Sequence, residues 1–210
     1  MISVLIALEH AIFRRGVKNI LAETLEGATF AEARTAQEAL DFARKHGWEL
    51  ILLDINMPGG SGLDPVSELK RLCPQAAILV LGTHPEEQFA RRSLKSGAAG
   101  FLTKESVPEE LTKAARRVLA GGLYLSAALA EALAGDLSSG TERPPHEILS
   151  DREFQVMRML ASGKTLTEIA KDLSLSVKTV STYRSRLLSK TGLKNNSELI
   201  RYAFQHQLVK

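Results

Sequence analysis

The chain reads as an α/β domain built on a five-stranded parallel sheet, followed by a small all-α domain of about four helices. Three observations carry that reading. Short apolar runs alternate with longer segments of helical period through the first two thirds of the chain, the alternation stops at Gly135, and only helical signals follow. With 210 residues, 44% of them hydrophobic, each part is large enough to bury a core.

The expected strands are Ser3–Leu8, Ala28–Ala33, Leu50–Leu53, Ala77–Leu81 and Ala99–Leu102, with helices between them. In the first helix Phe13, Val17, Ile20 and Leu21 share a face, and in the last Leu111, Ala115, Val118 and Leu119 do, so both can pack on a sheet. "TAQE" at Thr35–Glu38, "THPE" at Thr83–Glu86 and "SVPE" at Ser106–Glu109 have the spacing of capping boxes, where a hydroxyl and a carboxylate satisfy free amides at a helix start. "GDLSSGTERPPHE" from Gly135 has no apolar period and reads as linker. After it, "SDRE" and "TLTE" at Ser150–Glu153 and Thr165–Glu168 open two more helices, and Gly163 and Gly192 mark helix ends. The division is therefore 1–122, a linker with a short helical segment at 123–146, and 147–210.

The net charge of +3 is unevenly spread. Residues 147–210 hold 11 basic against 6 acidic side chains, and Val177–Lys194 has five basic residues and no acid, the footprint of a phosphate-backbone binder. The single cysteine, Cys73, cannot form an internal disulfide and is expected in the core. With no apolar run of membrane-spanning length and no leader pattern, a cytoplasmic protein with no membrane partner is expected.

Asp54 directly follows a fully apolar strand, Glu9 follows the first strand and Lys104 the fifth. All three lie at the strand ends where open α/β sheets bind ligands. A carboxylate to accept a phosphoryl group, an acid to hold a divalent cation and an ammonium to pair with the product suit aspartyl-phosphate chemistry. In the C-terminal part, a helical projection of Val177–Thr191 puts Val177, Val180, Tyr183, Leu187, Leu188 and Thr191 on one arc. Lys178, Ser181, Thr182, Ser185, Arg186, Ser189 and Lys190 lie on the other, a short-chained polar face with basic flanks that suits the major groove.

"DINMPGGSGL" at Asp54–Leu63 and "GAAGFLTK" at Gly97–Lys104 make the N-terminal part resemble a response-regulator receiver domain, which implies a flavodoxin-like (βα)5 fold. The "L-S-x-R-E" opening at Leu149–Glu153, "EIA" at Glu168–Ala170 and "KTV" at Lys178–Val180 make the rest similar to the helix-turn-helix of LuxR/NarL-type transcription factors. The receiver resemblance implies Asp54 as phosphoacceptor from a sensor histidine kinase and Lys104 as phosphoryl ligand. It further implies Phe101 as switch aromatic and Mg²⁺ held by Glu9, Asp54 and the backbone carbonyl of Asn56. The helix-turn-helix resemblance implies a homodimer on double-stranded DNA. Ser181, Thr182 and Ser185 would face bases, and Lys178, Thr179 and Lys190 would contact phosphates, with Arg186 on the same DNA-facing surface.

Two positions depart from the receiver pattern. Leu8 stands where an outer acid usually anchors a metal-bound water, which should weaken Mg²⁺ binding more than abolish it. Gly82 stands where receivers carry Ser or Thr, with Thr83 one residue late. Arg184 falls on the apolar arc and is expected to snorkel to a phosphate or to pair with Glu153. Three readings remain open here. They are a phosphorylation-controlled DNA-binding regulator, which is not an enzyme, an atypical receiver controlled by dimerisation or another ligand, and an α/β phosphohydrolase. The last is the weakest, because its general acid would stand where Asn56 is.

Overall fold

The computed structural model describes residues 2–55, 57–58, 63–82, 86–127, 130–131, 144–173, 175–206 and 208–209. They form two compact units, Met1–Gly140 and Thr141–Lys210.

The first unit alternates β1 Ser3–Ala7, α1 Ala11–Thr24, β2 Thr29–Ala33, α2 Ala36–Lys45, β3 Leu50–Asp54, α3 Asp64–Leu72, β4 Ala77–Gly82, α4 Glu86–Lys95, β5 Gly100–Thr103 and α5 Val107–Leu119. All strand pairs are parallel, in the order β2-β1-β3-β4-β5. β3 and β4 are buried throughout, as continuous apolar runs covered on both faces must be. One face packs on α2 and α3 through Leu5, Ile51, Leu53, Val66, Leu69 and Ile78. The other packs on α1 and α5 through Val4, Ile6, Val17, Leu21, Leu111 and Val118. The chain order reverses between β1 and β3, so the crevice beyond their carboxyl ends is the switch point where such sheets take ligands.

Three expectations about this unit need correction. Ser106 forms no capping box: its backbone is helical (φ −82°, ψ −11°) and its hydroxyl donates to the Thr103 carbonyl instead. Residues 123–125 are not linker. The Tyr124 amide donates to the Ala99 carbonyl at 2.9 Å, Tyr124 is buried, and it bridges Gly100 on the edge of β5. A Cβ on Gly100 would lie 2.8 Å from the Tyr124 carbonyl oxygen, so this close pairing needs a glycine. Thr35 caps α2 from its hydroxyl, but Glu38 reaches back to the Arg34 amide rather than to Thr35. The Thr83–Glu86 box and most of the 123–146 segment lie outside the described residues.

The second unit begins with a 3-10 turn, Pro145–Ile148, then α6 Asp151–Ala161, α7 Leu166–Asp172, α8 Val177–Thr191 and α9 Asn196–Gln205. Both expected capping boxes form, at Ser150/Glu153 and Thr165/Glu168. Gly163 (φ 85°) and Gly192 (φ 72°) end α6 and α8 in the left-handed conformation that glycine adopts without strain. Phe154, Val156, Met157, Ile169, Val180, Leu187, Leu199 and Ala203 are buried in this unit.

Candidate functional site

β3 carries four buried aliphatic residues and then Asp54, whose side chain is only 2% exposed at the switch point. The Lys104 amide donates to the Gly82 carbonyl at 2.9 Å, fixing the chain just past β5. From there the Lys104 ammonium reaches Asp54 Oδ2 at 2.5 Å and stands 5.9 Å from the centroid of the Phe13 ring. A carboxylate this buried requires such a partner. The pairing also leaves an ammonium in position to bind added negative charge on Asp54.

The end of β1 is organised by a residue the sequence reading did not single out. Arg14 is nearly buried. Its Nη1 donates to the carbonyls of Leu8 and Glu9 at 2.7 and 3.1 Å, and its Nε donates to Glu32 Oε2 at 2.9 Å. Lys18 donates to the other Glu32 oxygen at 2.9 Å, and Lys18 and Arg14 together hold the Glu32 carboxyl below its ordinary value despite partial burial. The signal was present in the sequence. Arg14 and Lys18 stand one turn apart on a helix, and Glu32 is the lone charged residue of its strand.

Leu8 does not leave a gap at the site, because its side chain is 0% exposed and belongs to the core under α1 and α5. The Glu9 side chain is 44% exposed, with His10 Nδ1 at 4.0 Å. Asn56 lies outside the described residues. Among the described residues no cluster of three or more acidic, His or Cys side chains could hold a metal. The donor chemistry still suits Mg²⁺, which is usually held by one or two carboxylates and keeps several of its waters.

Phe101 is 0% exposed and packs inward in the core beneath β4 and β5. It fills the space that a side chain at residue 82 would need. A Cβ built on Gly82 meets Phe101 Cζ at 2.8 Å, and Phe101 Cε2 and Ile55 Cδ1 at 3.2 Å. Thr83 lies outside the described residues.

In the second unit α8 buries Val180 and Leu187, and it exposes Lys178, Thr182, Ser185, Arg186 and Lys190, with Thr179 and Ser181 half-buried. Two of the basic residues on α8 have partners within the unit. Arg184 does not pair with Glu153; its Nε donates to Asn196 Oδ1 at 2.7 Å, tying α8 to α9. Lys190 is the partner of the buried Glu153, at 2.7 Å. Burial alone would raise the Glu153 carboxyl, but the Lys190 ammonium and the Ser150 amide and hydroxyl outweigh it and hold it below its ordinary value. Val177 and Tyr183, both placed on the apolar arc, are respectively 45% exposed and half-buried. Tyr183 instead lines a shallow depression with Ser176, Lys178, Thr179, Thr182 and Arg186.

Comparison with known proteins adds the following. Residues 4–116 match the response regulator receiver domain family, and residues 147–203 match the bacterial regulatory proteins of the luxR family. The chain is similar to the response regulator UvrY of Escherichia coli K12, 32% identical over 209 residues, covering 99% of this chain and 96% of the relative. It is similar to the response regulator GacA of Pseudomonas aeruginosa, 33% identical over 210 residues, covering 100% and 98%. Among solved structures it resembles RcsB of Salmonella enterica serovar Typhimurium bound to the promoter rprA with the phosphomimetic BeF3−. That match has a TM-score of 0.68 and 27% identity and covers 96% of this chain and 97% of that one.

Proposed function

Because this chain belongs to the response regulators, a receiver domain joined to a luxR-family DNA-binding domain, we propose that it is a transcription regulator whose receiver accepts a phosphoryl group on Asp54. The observation that carries this reading is the Asp54–Lys104 pair, buried at the switch point of the sheet.

The donor is the phosphohistidine of a partner histidine kinase. An Asp54 oxygen attacks phosphorus, the donor N–P bond breaks and its electrons return to the imidazole, leaving an acyl phosphate on Asp54. Lys104 then redirects its ammonium from the bare carboxylate to the phosphoryl oxygens, and Phe13 walls the ammonium from one side. When bound, Mg²⁺ would be held by Glu9, Asp54 and, as the receiver resemblance implies, the Asn56 carbonyl, and would supply charge neutralisation on the transferring group. Arg14 fixes the backbone at Leu8 and Glu9, so the one available acid at the end of β1 is presented from a rigid turn. The protein acts as a homodimer on double-stranded DNA and presents α8 to it, and the similar RcsB has been solved as dimers bound to DNA.

Incubation with Mg²⁺ and a small phosphoryl donor should add a single phosphate to the wild type and none to Asp54→Ala, read by intact mass. Absence of the adduct from the wild type would refute the phosphoacceptor role.

A second reading, in which phosphorylation does not set DNA affinity, is favoured by one observation. With Gly82 in β4, the Phe101 ring already occupies the space beside it, so there is no side chain at 82 to respond to Asp54. On this reading dimerisation controls DNA binding.

A further inference from the structure

The turn from β1 into α1 is bonded from two sides. The Leu8 amide donates to the Ala33 carbonyl of β2 at 3.1 Å. The Leu8 and Glu9 carbonyls both accept from Arg14 Nη1, at 2.7 and 3.1 Å. Arg14 is nearly buried, and a buried charge requires a counter-charge. It comes from the neighbouring strand, where Glu32 lies in register with Ile6 of β1. One Glu32 oxygen accepts from Arg14 Nε and the other from Lys18 Nζ, each at 2.9 Å.

This clamp has an electrostatic cost at the end of β1. A guanidinium laid against two carbonyl oxygens makes them poor ligands for a cation, so the carboxylates of Glu9 and Asp54 are left to hold one. The same guanidinium puts a positive charge against the backbone of Glu9, where it opposes a divalent cation unless it is cancelled. Among the described residues, Glu32 is the one acid that Arg14 and Lys18 pair with. It is ionised at neutral pH, because Lys18 and Arg14 hold its carboxyl below the ordinary value. Arg14 and Glu32 are both shielded from bulk water, so their charges are screened less than those of a surface pair.

We propose that Glu32 sets the affinity of the phosphorylation site for a divalent cation, by cancelling the charge of the Arg14 clamp from the neighbouring strand. Glu32 is a positioning residue, since it reaches the site only through Arg14. The proposal rests on the reading of Asp54 as a Mg²⁺-assisted phosphoacceptor and adds what tunes that site. With Leu8 supplying no outer acid, the charge balance behind the turn carries more weight. Lys18 acts against Glu32. Without Lys18 the charges of Arg14 and Glu32 balance, whereas without Glu32 both cations are left uncompensated.

The test uses the full-length chain, with Mg²⁺ titrated at low ionic strength and binding read from the amide NMR shifts of Glu9 and Asp54. Glu32→Gln, whose amide oxygen still accepts from Arg14, should weaken Mg²⁺ binding by about 3–10-fold, the scale of one unit charge acting on a divalent ion across partly solvated protein. Lys18→Gln, at a partly exposed helix position, should tighten it by about 2–5-fold. Adding Lys18→Gln to Glu32→Gln should recover much of the loss, and KCl at about 0.5 M should shrink every difference. A Glu32 that only shapes the turn would give a loss that neither Lys18→Gln recovers nor salt shrinks. That result would overturn the proposal, as would wild-type affinity in Glu32→Gln. Should Glu32→Gln fail to fold, Lys18→Gln alone decides, and unchanged Mg²⁺ affinity in it would overturn the role of the cluster. A wild type whose amides do not move with Mg²⁺ would refute the cation site itself, a result distinguishable from a responding wild type with an unaltered Glu32→Gln.

Discussion

Gly82 shows how one missing side chain can alter a whole site. Its position in β4 is ordinary for a strand, and what makes it unusual is the Phe101 ring lying where its Cβ would be. Gly82→Ala should therefore destabilise the first unit by about 1–3 kcal/mol through overpacking. Pairing it with Phe101→Leu should recover much of that loss, because two contacting residues are not additive. Urea denaturation of the two single variants and the double variant measures the coupling, and equal losses with and without the ring would show that Phe101 is not what Gly82 accommodates. The sequence revealed the glycine, because the motif around it was legible. It did not reveal the ring beside it, because that contact joins β4 to β5 across the sheet. The same limit explains Arg184 and Lys190. A helical projection says which way a side chain leaves α8, whereas their partners come from α9 and α6.

At the scale of elements, the hydroxyl-to-acid spacing read correctly at Ser150 and Thr165 and failed at Ser106, where the backbone is already helical and the hydroxyl bonds behind it. Strand and helix order was legible because buried parallel strands are continuous apolar runs and their helices carry a 3.6 period. Tyr124 was missed because a bridge of one residue has no period to detect. The Ser150 box does more than start α6. Its Glu153 also anchors α8 through Lys190, so a local cap becomes a tertiary clamp. Lys190→Met should cost about 1–3 kcal/mol at neutral pH, the range for a stranded buried acceptor, kept low because Lys190 is partly open to water. The Glu153 carboxyl titrates below its ordinary 4.5 in the folded chain. The stability it contributes is therefore fully present above about pH 4.5 and is lost as pH falls through the lowered folded value. The difference between wild type and Lys190→Met should accordingly narrow in acid, and helical circular dichroism in urea at stepped pH would show it. A difference that does not narrow in acid would mean that the Lys190–Glu153 charge pair is not its source.

At the scale of the whole molecule the two units carry different parts of the function, and the question is how strongly one informs the other. The first unit keeps the buried Asp54–Lys104 pair, which on the proposed function is the phosphoacceptor and its ammonium. It lacks a side chain at residue 82, and Phe101 is buried without one. Coupling between two sites requires an element with two arrangements whose balance both sites shift. With the space beside Gly82 already filled, adding a phosphoryl group to Asp54 has no partner there through which to move the ring. The expected outcome is that a small phosphoryl donor with Mg²⁺ loads Asp54, as read by mass, while affinity for DNA changes less than the about 5-fold at which ordinary allosteric coupling begins. Running both readouts on one sample separates the two halves of the argument, since an unloaded receiver says nothing about coupling. A loaded receiver with DNA affinity raised well beyond that threshold would show that the signal leaves Asp54 by a path other than residue 82. The next segment to test would then be Phe101–Lys104, the end of β5 and the residue after it, which closes on the ammonium paired with Asp54.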